Sequence, residues 1–333
     1  MTKPIFCGNI TDEFNMVGNV TDGTQSDGYD PTFSQSAIGF NTTSTTTGFI
    51  GQSGLGDLTA GWFHFGMGGS AGTWANNVPF AILYDNAGNQ LIRVLTLNAF
   101  YVVQWNNAGT WTTIGNSTAV VGNSGVFYRF DVNVVLNGAS SSAQLYVNGV
   151  LANGAGTFTA PAGWAVDRFI LWSPQGDNHG ACSEVIVHTS PTINLRYATT
   201  MPASLGTHQD WIGSGTIGNV AKIAVNDGTS IQSGTVGDVT TYVGTAIAAV
   251  AAAQTVSGIK IITRGRHDGS GPQDVDGVLR LGGTDYFTAD TALDFGFAGH
   301  ALWFETDPST GVAFTPAVAG SALEFGVRSA VAA

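Results

Sequence analysis

The chain has 333 residues, a formal net charge of -12 and only 10% charged residues, with lysine at Lys3, Lys222 and Lys260 alone. An acidic surface this poor in lysine is unsuited to neutralising phosphate, so nucleic acid and anionic membranes are excluded as expected partners. Hydrophobic residues, at 43%, are sufficient for real cores, and the length predicts two domains rather than one.

Glycine is abundant (46 residues). Asn-Gly, Asp-Gly and Gly-Asn pairs recur between short β-branched or aromatic runs, which marks hairpins. In chain order, strands are predicted at Phe80 to Tyr84, Leu91 to Leu97 and Tyr101 to Trp105. The clearest is Tyr128 to Leu136. It places Tyr128, Phe130, Val132, Val134 and Leu136 on one face, and Arg129, Asp131 and Asn133 on the other. That period of two describes a half-buried strand. Asn137-Gly138 then turns the chain into Gln144 to Val147, and Asn148-Gly149 turns it again into Val150-Leu151. Phe169 to Trp172 and Glu184 to His188 follow, at the spacing of sandwiches and barrels.

Beyond residue 200 the pattern resumes at Val220 to Val225, Gly258 to Arg264, Val278 to Leu281, Ala301 to Phe304 and Leu323 to Val327. No segment has a convincing helical face; the alanine-rich run Ala246 to Ala253 lacks a polar side. Pro191, Pro202 and the loop from Gly206 to Gly218 mark a boundary near residue 205. The expected domains are therefore residues 1–204 and 205–333, in an all-β class of antiparallel sandwiches.

Cys7 and Cys182 are too few and too distant for a disulfide framework or a zinc spacing, and two free thiols are expected. The start, Met1-Thr2-Lys3-Pro4, has no apolar signal core, so synthesis in the cytoplasm is expected. Retaining glycosidases need two carboxylates about 5 Å apart, commonly on one strand. Glutamate occurs only at Glu13, Glu184, Glu305 and Glu324, so a paired-glutamate strand is missing. Asp274 and Asp276 have the spacing of two, but their Gly-Pro-Gln-Asp-Val-Asp-Gly context reads as a solvated loop. Asp177, His179, Cys182 and Glu184 form the densest group of ligand types, with Cys182 and Glu184 expected on one face. Their spacing matches no standard metal loop. Gly213-Ser-Gly-Thr-Ile-Gly218 matches a dinucleotide fingerprint only formally, because a strand-like run rather than a helix follows it. No catalytic residue, metal or cofactor is expected.

The aromatic residues are more suggestive. Trp105 and Trp111 flank the predicted hairpin loop Asn106-Asn-Ala-Gly-Thr110, and Trp74 lies in another Gly/Asn-rich loop. Exposed aromatic faces stack on sugar C–H surfaces while Asn, Asp and His fix hydroxyl groups. Trp74, Trp105, Trp111, Asp177, Asn178 and His179 are thus the candidate glycan contacts, although tryptophan in sandwiches more often packs in cores or at subunit interfaces.

Two stretches carry family resemblances. Tyr128-Arg-Phe-Asp-Val-Asn-Val-Val-Leu-Asn-Gly with Ala143-Gln-Leu-Tyr-Val-Asn-Gly-Val resembles laminin G-like, concanavalin A-like jelly rolls. Asp167-Arg-Phe-Ile-Leu-Trp and Ser183-Glu-Val-Ile-Val-His resemble closing strands of the same domain. In the second half, Thr235-Val-Gly-Asp, Ile259-Lys-Ile-Ile-Thr-Arg-Gly-Arg, Leu281-Gly-Gly-Thr-Asp-Tyr, Trp303-Phe-Glu-Thr-Asp-Pro-Ser-Thr-Gly-Val-Ala-Phe-Thr and Ala322-Leu-Glu-Phe-Gly resemble a β-sandwich module of tailed-phage structural proteins. Phe314 stands where that module usually has Trp. The resemblances imply two jelly-roll-like sandwiches in a non-enzymatic virion surface protein, either a head decoration or fibre, or an accessory tail component. It would be made in the host cytoplasm, assemble as a homotrimer with other virion proteins, and present a lectin-like domain to host surface glycan. A receptor-binding adhesin for host polysaccharide is the alternative, and a polysaccharide-cleaving enzyme a third reading.

Overall fold

The computed structural model describes residues 4–8, 11–18, 20–23, 30, 33, 37–40, 48–69, 74, 76–115, 126–154, 156–173, 180–220, 229–249 and 255–331. With 54% of the described residues in strand and 4% in helix, the protein belongs to the all-β class that its hairpin signals predict. It divides into two compact units, Pro4–Tyr197 and Ala198–Ala333.

The first unit begins with β1 (Phe6–Gly8), β2 (Met16–Gly18), β3 (Val20–Gly23), β4 (Ala37–Phe40), β5 (Phe49–Leu58) and β6 (Ala60–Gly69). It continues with β7 (Pro79–Tyr84), β8 (Gln90–Leu97), β9 (Phe100–Asn107), β10 (Thr110–Thr113) and β11 (Tyr128–Val135). Then come β12 (Ser141–Val147), β13 (Val150–Leu151), β14 (Thr157–Phe158), β15 (Val166–Trp172) and β16 (Gly180–His188). One sheet has the order β13-β12-β11-β6-β16-β4-β3, with β1 on β16 and β14 on β12. The other has the order β10-β9-β8-β7-β15-β5-β2. Their pairings are antiparallel.

The core lies between the two sheets, where inward positions alternate along each strand. From the larger sheet come Phe63, Phe65, Met67, Phe130, Val132 and Val134; from the smaller come Leu83, Val94, Val103, Phe169 and Leu171. Phe65 stacks on Phe130 with ring centroids 5.4 Å apart. Strands β5 and β6 were not predicted, because Gly51, Gly54, Gly56, Gly61, Gly66, Gly68 and Gly69 hide their alternation. Gly66 leaves room for Phe127, whose ring lies about where a Cβ would be.

The second unit contains β17 (Pro202–Gln209), β18 (Val239–Gly244), β19 (Ile259–Gly265) and β20 (Asp274–Leu281). These are followed by β21 (Thr284–Phe287), β22 (Thr291–Ala292), β23 (Ala298–Phe304) and β24 (Glu324–Ala330). One sheet has the order β17-β18-β24-β20-β21 with β22 on β20, and β19 pairs with β23 as a separate ribbon. Ile261, Leu302 and Phe304 of the ribbon meet Val275, Leu279 and Val327 of the sheet in the core. The boundary after Tyr197 precedes the expected division, and β17 runs through residue 205.

The run from Trp303 onward is held by side chains at both ends. Phe304 and Phe314 enter the core. The Asp307 carboxylate accepts from the Ser309 amide at 2.9 Å and its hydroxyl at 2.6 Å, closing a turn. Thr315 caps the short helix α1 (Pro316–Ala319) by accepting from the Val318 amide at 3.3 Å, and Pro316 at its first turn lacks the amide that would otherwise go unused.

Asp274 and Asp276 stand in β20 and are buried, which corrects the solvated-loop expectation. Asp276 can be buried because Arg328 faces it across the β20–β24 pair. The Tyr128–Leu136 register is as predicted: Phe130, Val132, Val134 and Leu136 are buried, and Asn133 is half-buried beside Gln144. Phe130→Ala should therefore cost about 3–5 kcal/mol in urea unfolding, against less than about 1 kcal/mol for Asn133→Ala. Equal losses at the two positions would contradict this register.

Candidate functional site

The β9–β10 hairpin is tighter than its sequence suggests. The strands run to Asn107 and resume at Thr110, leaving Ala108 and Gly109 as a two-residue turn with φ of 50 and 91 degrees. Two successive positive φ values match the twist of the flanking strands. Asn106 serves this turn: its side chain accepts from the Gly109 amide at 2.7 Å and donates to the Gln90 carbonyl at 2.9 Å.

Register then separates the tryptophans. Trp111 pairs with Asn106, while Trp105 pairs with Thr112, so the two rings leave opposite faces of the sheet. Trp105 turns inward, stacked on Phe158 at 5.0 Å with Trp164 at 6.2 Å. Trp111 stays outside, half-buried, with the Arg93 guanidinium 4.2 Å from its ring centroid. Trp74 is 4% exposed. Its ring lies edge-on to Phe80 and Tyr101 at 5.0 and 5.2 Å, so it is a core residue rather than a loop contact. Asp177, Asn178 and His179 lie outside the described residues.

The outer face of the smaller sheet therefore presents a set of groups that only register reveals. Arg93 Nε donates to Gln104 at 2.8 Å, and Gln104 Nε2 donates to Thr113 at 3.1 Å. Further across, Arg168 lies 5.6 Å from the Tyr84 ring. Burial lowers the pKa of Arg93 and raises that of Tyr84. The available chemistry is a cation-backed aromatic surface with amide and hydroxyl groups beside it. Arg93, Gln104 and Tyr84 were missed as site residues. The alternation of Ile92, Arg93 and Val94 was the signal that could have found Arg93.

On the opposite side of the first unit, the larger sheet carries a buried charge set. His64 Nδ1 lies 2.7 Å from Asp131 Oδ1, and the Thr192 hydroxyl donates to that same oxygen at 2.6 Å. Glu184 accepts from Arg196 through Nε and Nη2, both at 2.7 Å. Arg196 also donates to Asp30 at 2.9 Å and covers the Phe33 ring at 3.8 Å. Glu184 sits in a β-bulge, between Ser183 and Ile186, with φ of 55 degrees. The bulge breaks the alternation: Cys182 joins the core and Glu184 joins the charge set. This corrects the expectation that the two share a face. Cys7 and Cys182 are both buried and form no disulfide with each other.

Burial alone would lower the pKa of His64. The hydrogen bond to Asp131 and the charges of Asp131 and Glu184 outweigh it, lifting the pKa to about 9. Glu184 lies 4.0 Å from His64 Nε2, a contact of charge, too long for a hydrogen bond. Glu184 is held below its ordinary pKa, since Arg196 and His64 outweigh its burial. In the second unit, burial and neighbouring Asp290 push the Asp276 carboxyl up to about 6 against the pull of Arg328.

No protein-family model and no curated protein matches the chain. Among solved structures it is similar to a cellulose-induced protein, Cip1, at 16% identity and a TM-score of 0.40 over 56% of this chain and 92% of that one. It is similar to a carbohydrate esterase from Shiga toxin-encoding bacteriophage phi24B at 11% identity and 0.39, over 56% and 98%. It is also similar to the receptor binding domain of botulinum neurotoxin type G at 9% identity and 0.41, over 98% and 92%. With scores and identities this low, the fold description rests on the strand pairing itself.

The charge set generates a prediction with a definite sign. Because the pKa of His64 rises from 6.5 to about 9, its stabilising contribution is complete below the lower value and is lost as pH climbs through the upper one. His64→Ala should cost about 3–5 kcal/mol at neutral pH, since Asp131 is left as a buried, uncompensated charge. Urea midpoints followed against pH should fall through this alkaline window in the wild type and stay flatter in His64→Gln. Identical profiles would show that His64 is neutral in the fold.

Proposed function

We propose that the chain is a non-enzymatic surface protein of a phage particle whose first unit contacts glycan in the manner of a lectin. The observation that carries the glycan reading is the Arg93–Trp111 stack on the outer face of the smaller sheet, bordered by Gln104, Asn106 and Thr113. A planar apolar surface with amides and hydroxyls at its margin suits a sugar ring, which offers C–H groups on its face and hydroxyls around its rim.

The non-enzymatic reading draws support from how the carboxylates are engaged. Glu184 is taken up by Arg196, Asp131 by His64 and Thr192, and Glu324 by Thr241 and Thr207. Asp276 is paired with Arg328. A glycosidase instead needs one carboxylic acid and one carboxylate turned toward a common substrate. The virion reading draws on the sequence resemblance of the second half. A homo-oligomer, with a trimer as first expectation, fits a charge-poor surface that desolvates at low cost.

Trp111→Ala should weaken binding on a glycan array at least tenfold without changing the urea midpoint of the fold. Mass spectrometry and immunogold labelling of purified particles should detect the chain on their surface. Release of reducing sugar from a bound polysaccharide would instead establish an enzyme. Absence from particles would remove the virion assignment.

A further inference from the structure

Strand β20 turns Val275 and Leu279 into the core of the second unit, so Asp274, Asp276 and Arg280 lie on its opposite face. Asp276 has no exposed side-chain surface, and neighbouring strands close on it from both sides. On one side β24 sets Arg328 directly opposite, and its guanidinium donates through Nε and Nη2 to Oδ2 alone. On the other side the β22 register pairs Asp274 with Ala292 and Val275 with Thr291, so its next step brings Asp290 beside Asp276. Two bonds hold this approach: the Gly277 amide donates to the Thr288 hydroxyl at 2.8 Å, and the Thr288 amide donates to the Gly277 carbonyl at 3.0 Å. Asp276 Oδ1 is buried with no hydrogen-bond partner among the described residues, although the Asp290 carboxyl lies within hydrogen-bonding reach of Asp276. The other charged groups of this face are Asp274 on β20 itself and a separate network further along. There Arg280 and His208 of β17 donate to Asp285 of β21, and Glu324 of β24 accepts from Thr207 and Thr241. Strand β18 is uncharged along its length, and Phe287 of β21 lies 3.9 Å from the Arg328 guanidinium.

We propose that Asp276 and Asp290 form a proton-sharing carboxyl pair that strengthens the second unit in mild acid. Two ionised carboxylates only accept, and neither can donate to the other. The Arg328 guanidinium offsets one of their two charges, so the fully ionised set keeps one negative charge beside a buried oxygen. One proton taken from solvent cancels that charge and makes an O–H···O bond between the two side chains. The Asp276 carboxyl is accordingly held up at about 6, against 3.8 ordinarily. An acid raised in the fold binds its proton there first. The folded state therefore gains as pH falls through about 6, and the gain is complete near 3.8. His64 of the first unit responds above this range, between about 9 and 6.5, so the two units titrate in separate windows. The device stands independently of the glycan reading.

The test unfolds the full chain in urea at pH 6 and pH 5 and reads it by pulsed hydrogen exchange with mass spectrometry. Peptides from β20 and β24 then report on the second unit, and those from β11 on the first. The expected result is that the folding equilibrium of the second unit rises about fivefold between the two pH values, while that of the first changes little. Asp290→Asn offers Asp276 an amide donor in place of the shared proton. It should raise the stability of the second unit at pH 6 and remove the response, and Asp290 is exposed enough for the substitution to leave packing intact. His208→Gln and Asp274→Asn should keep the response, since each leaves the pair in place. Carboxyl carbon NMR of the wild type should show one aspartate titrating near pH 6, returned to the ordinary range by Asp290→Asn. No gain in the wild type, an equal gain in both units, a response that survives Asp290→Asn or is lost in His208→Gln, or ordinary titration of every aspartate would each overturn the proposal.

Discussion

Glu184 and His64 have no exposed side-chain surface, so each needs an opposite charge beside it, and the chain supplies both from distant positions. Arg196 reaches Glu184 from beyond the last strand of the first unit, and Asp131 reaches His64 from the neighbouring strand β11. Buried charges are tolerated only when paired and hydrogen-bonded. The segment that carries Thr192 and Arg196 must therefore lie on the sheet before the outer face is complete. This set specifies an arrangement, because an ion pair has one satisfying geometry where apolar contacts have many. Its contribution to net stability is a separate matter, since apolar residues of similar volume often serve as well.

The second unit repeats the device with different residues. Arg328 answers Asp276 across adjacent strands, and Arg280 donates to Asp285 at 2.6 Å across the β20–β21 hairpin. His208 joins the same carboxylate from β17 at 2.8 Å, and Glu324 receives the Thr207 amide. Three of the arginines are thus committed to structure in a chain with few charges to spare.

Much of the architecture was legible in the sequence because period-two alternation is a direct consequence of strand geometry. Tyr128 to Leu136 shows this, as does the Asn148-Gly149 turn, whose φ values of 51 and 81 degrees are those its residue types prefer. Strands β5 and β6 were hidden because glycine supplies no side chain to alternate. The bulge at Glu184 was hidden because one non-glycine residue in the left-handed region follows from its bond to Arg196, not from its own preference. Asp131 looked solvent-facing because its strand position faces outward. The covering segment brings Thr192, whose hydroxyl donates to it, and β6 brings His64. Such coverings join residues far apart in sequence, which leaves no local pattern.

The candidate site was less legible for a related reason. Trp105 and Trp111 flank one turn, and loop proximity suggests a shared surface. The hairpin contains two residues between its strands, so cross-strand partners sum to a constant, and 105 and 111 differ by one position from being partners. One step of register is enough to send Trp105 to Phe158 and Trp111 to Arg93. The same rule works in the opposite direction at the ribbon, where Lys260 and Trp303 are direct partners and so share a face. Aromatic residues near a turn therefore imply a binding surface only after the turn length has fixed which of them point the same way.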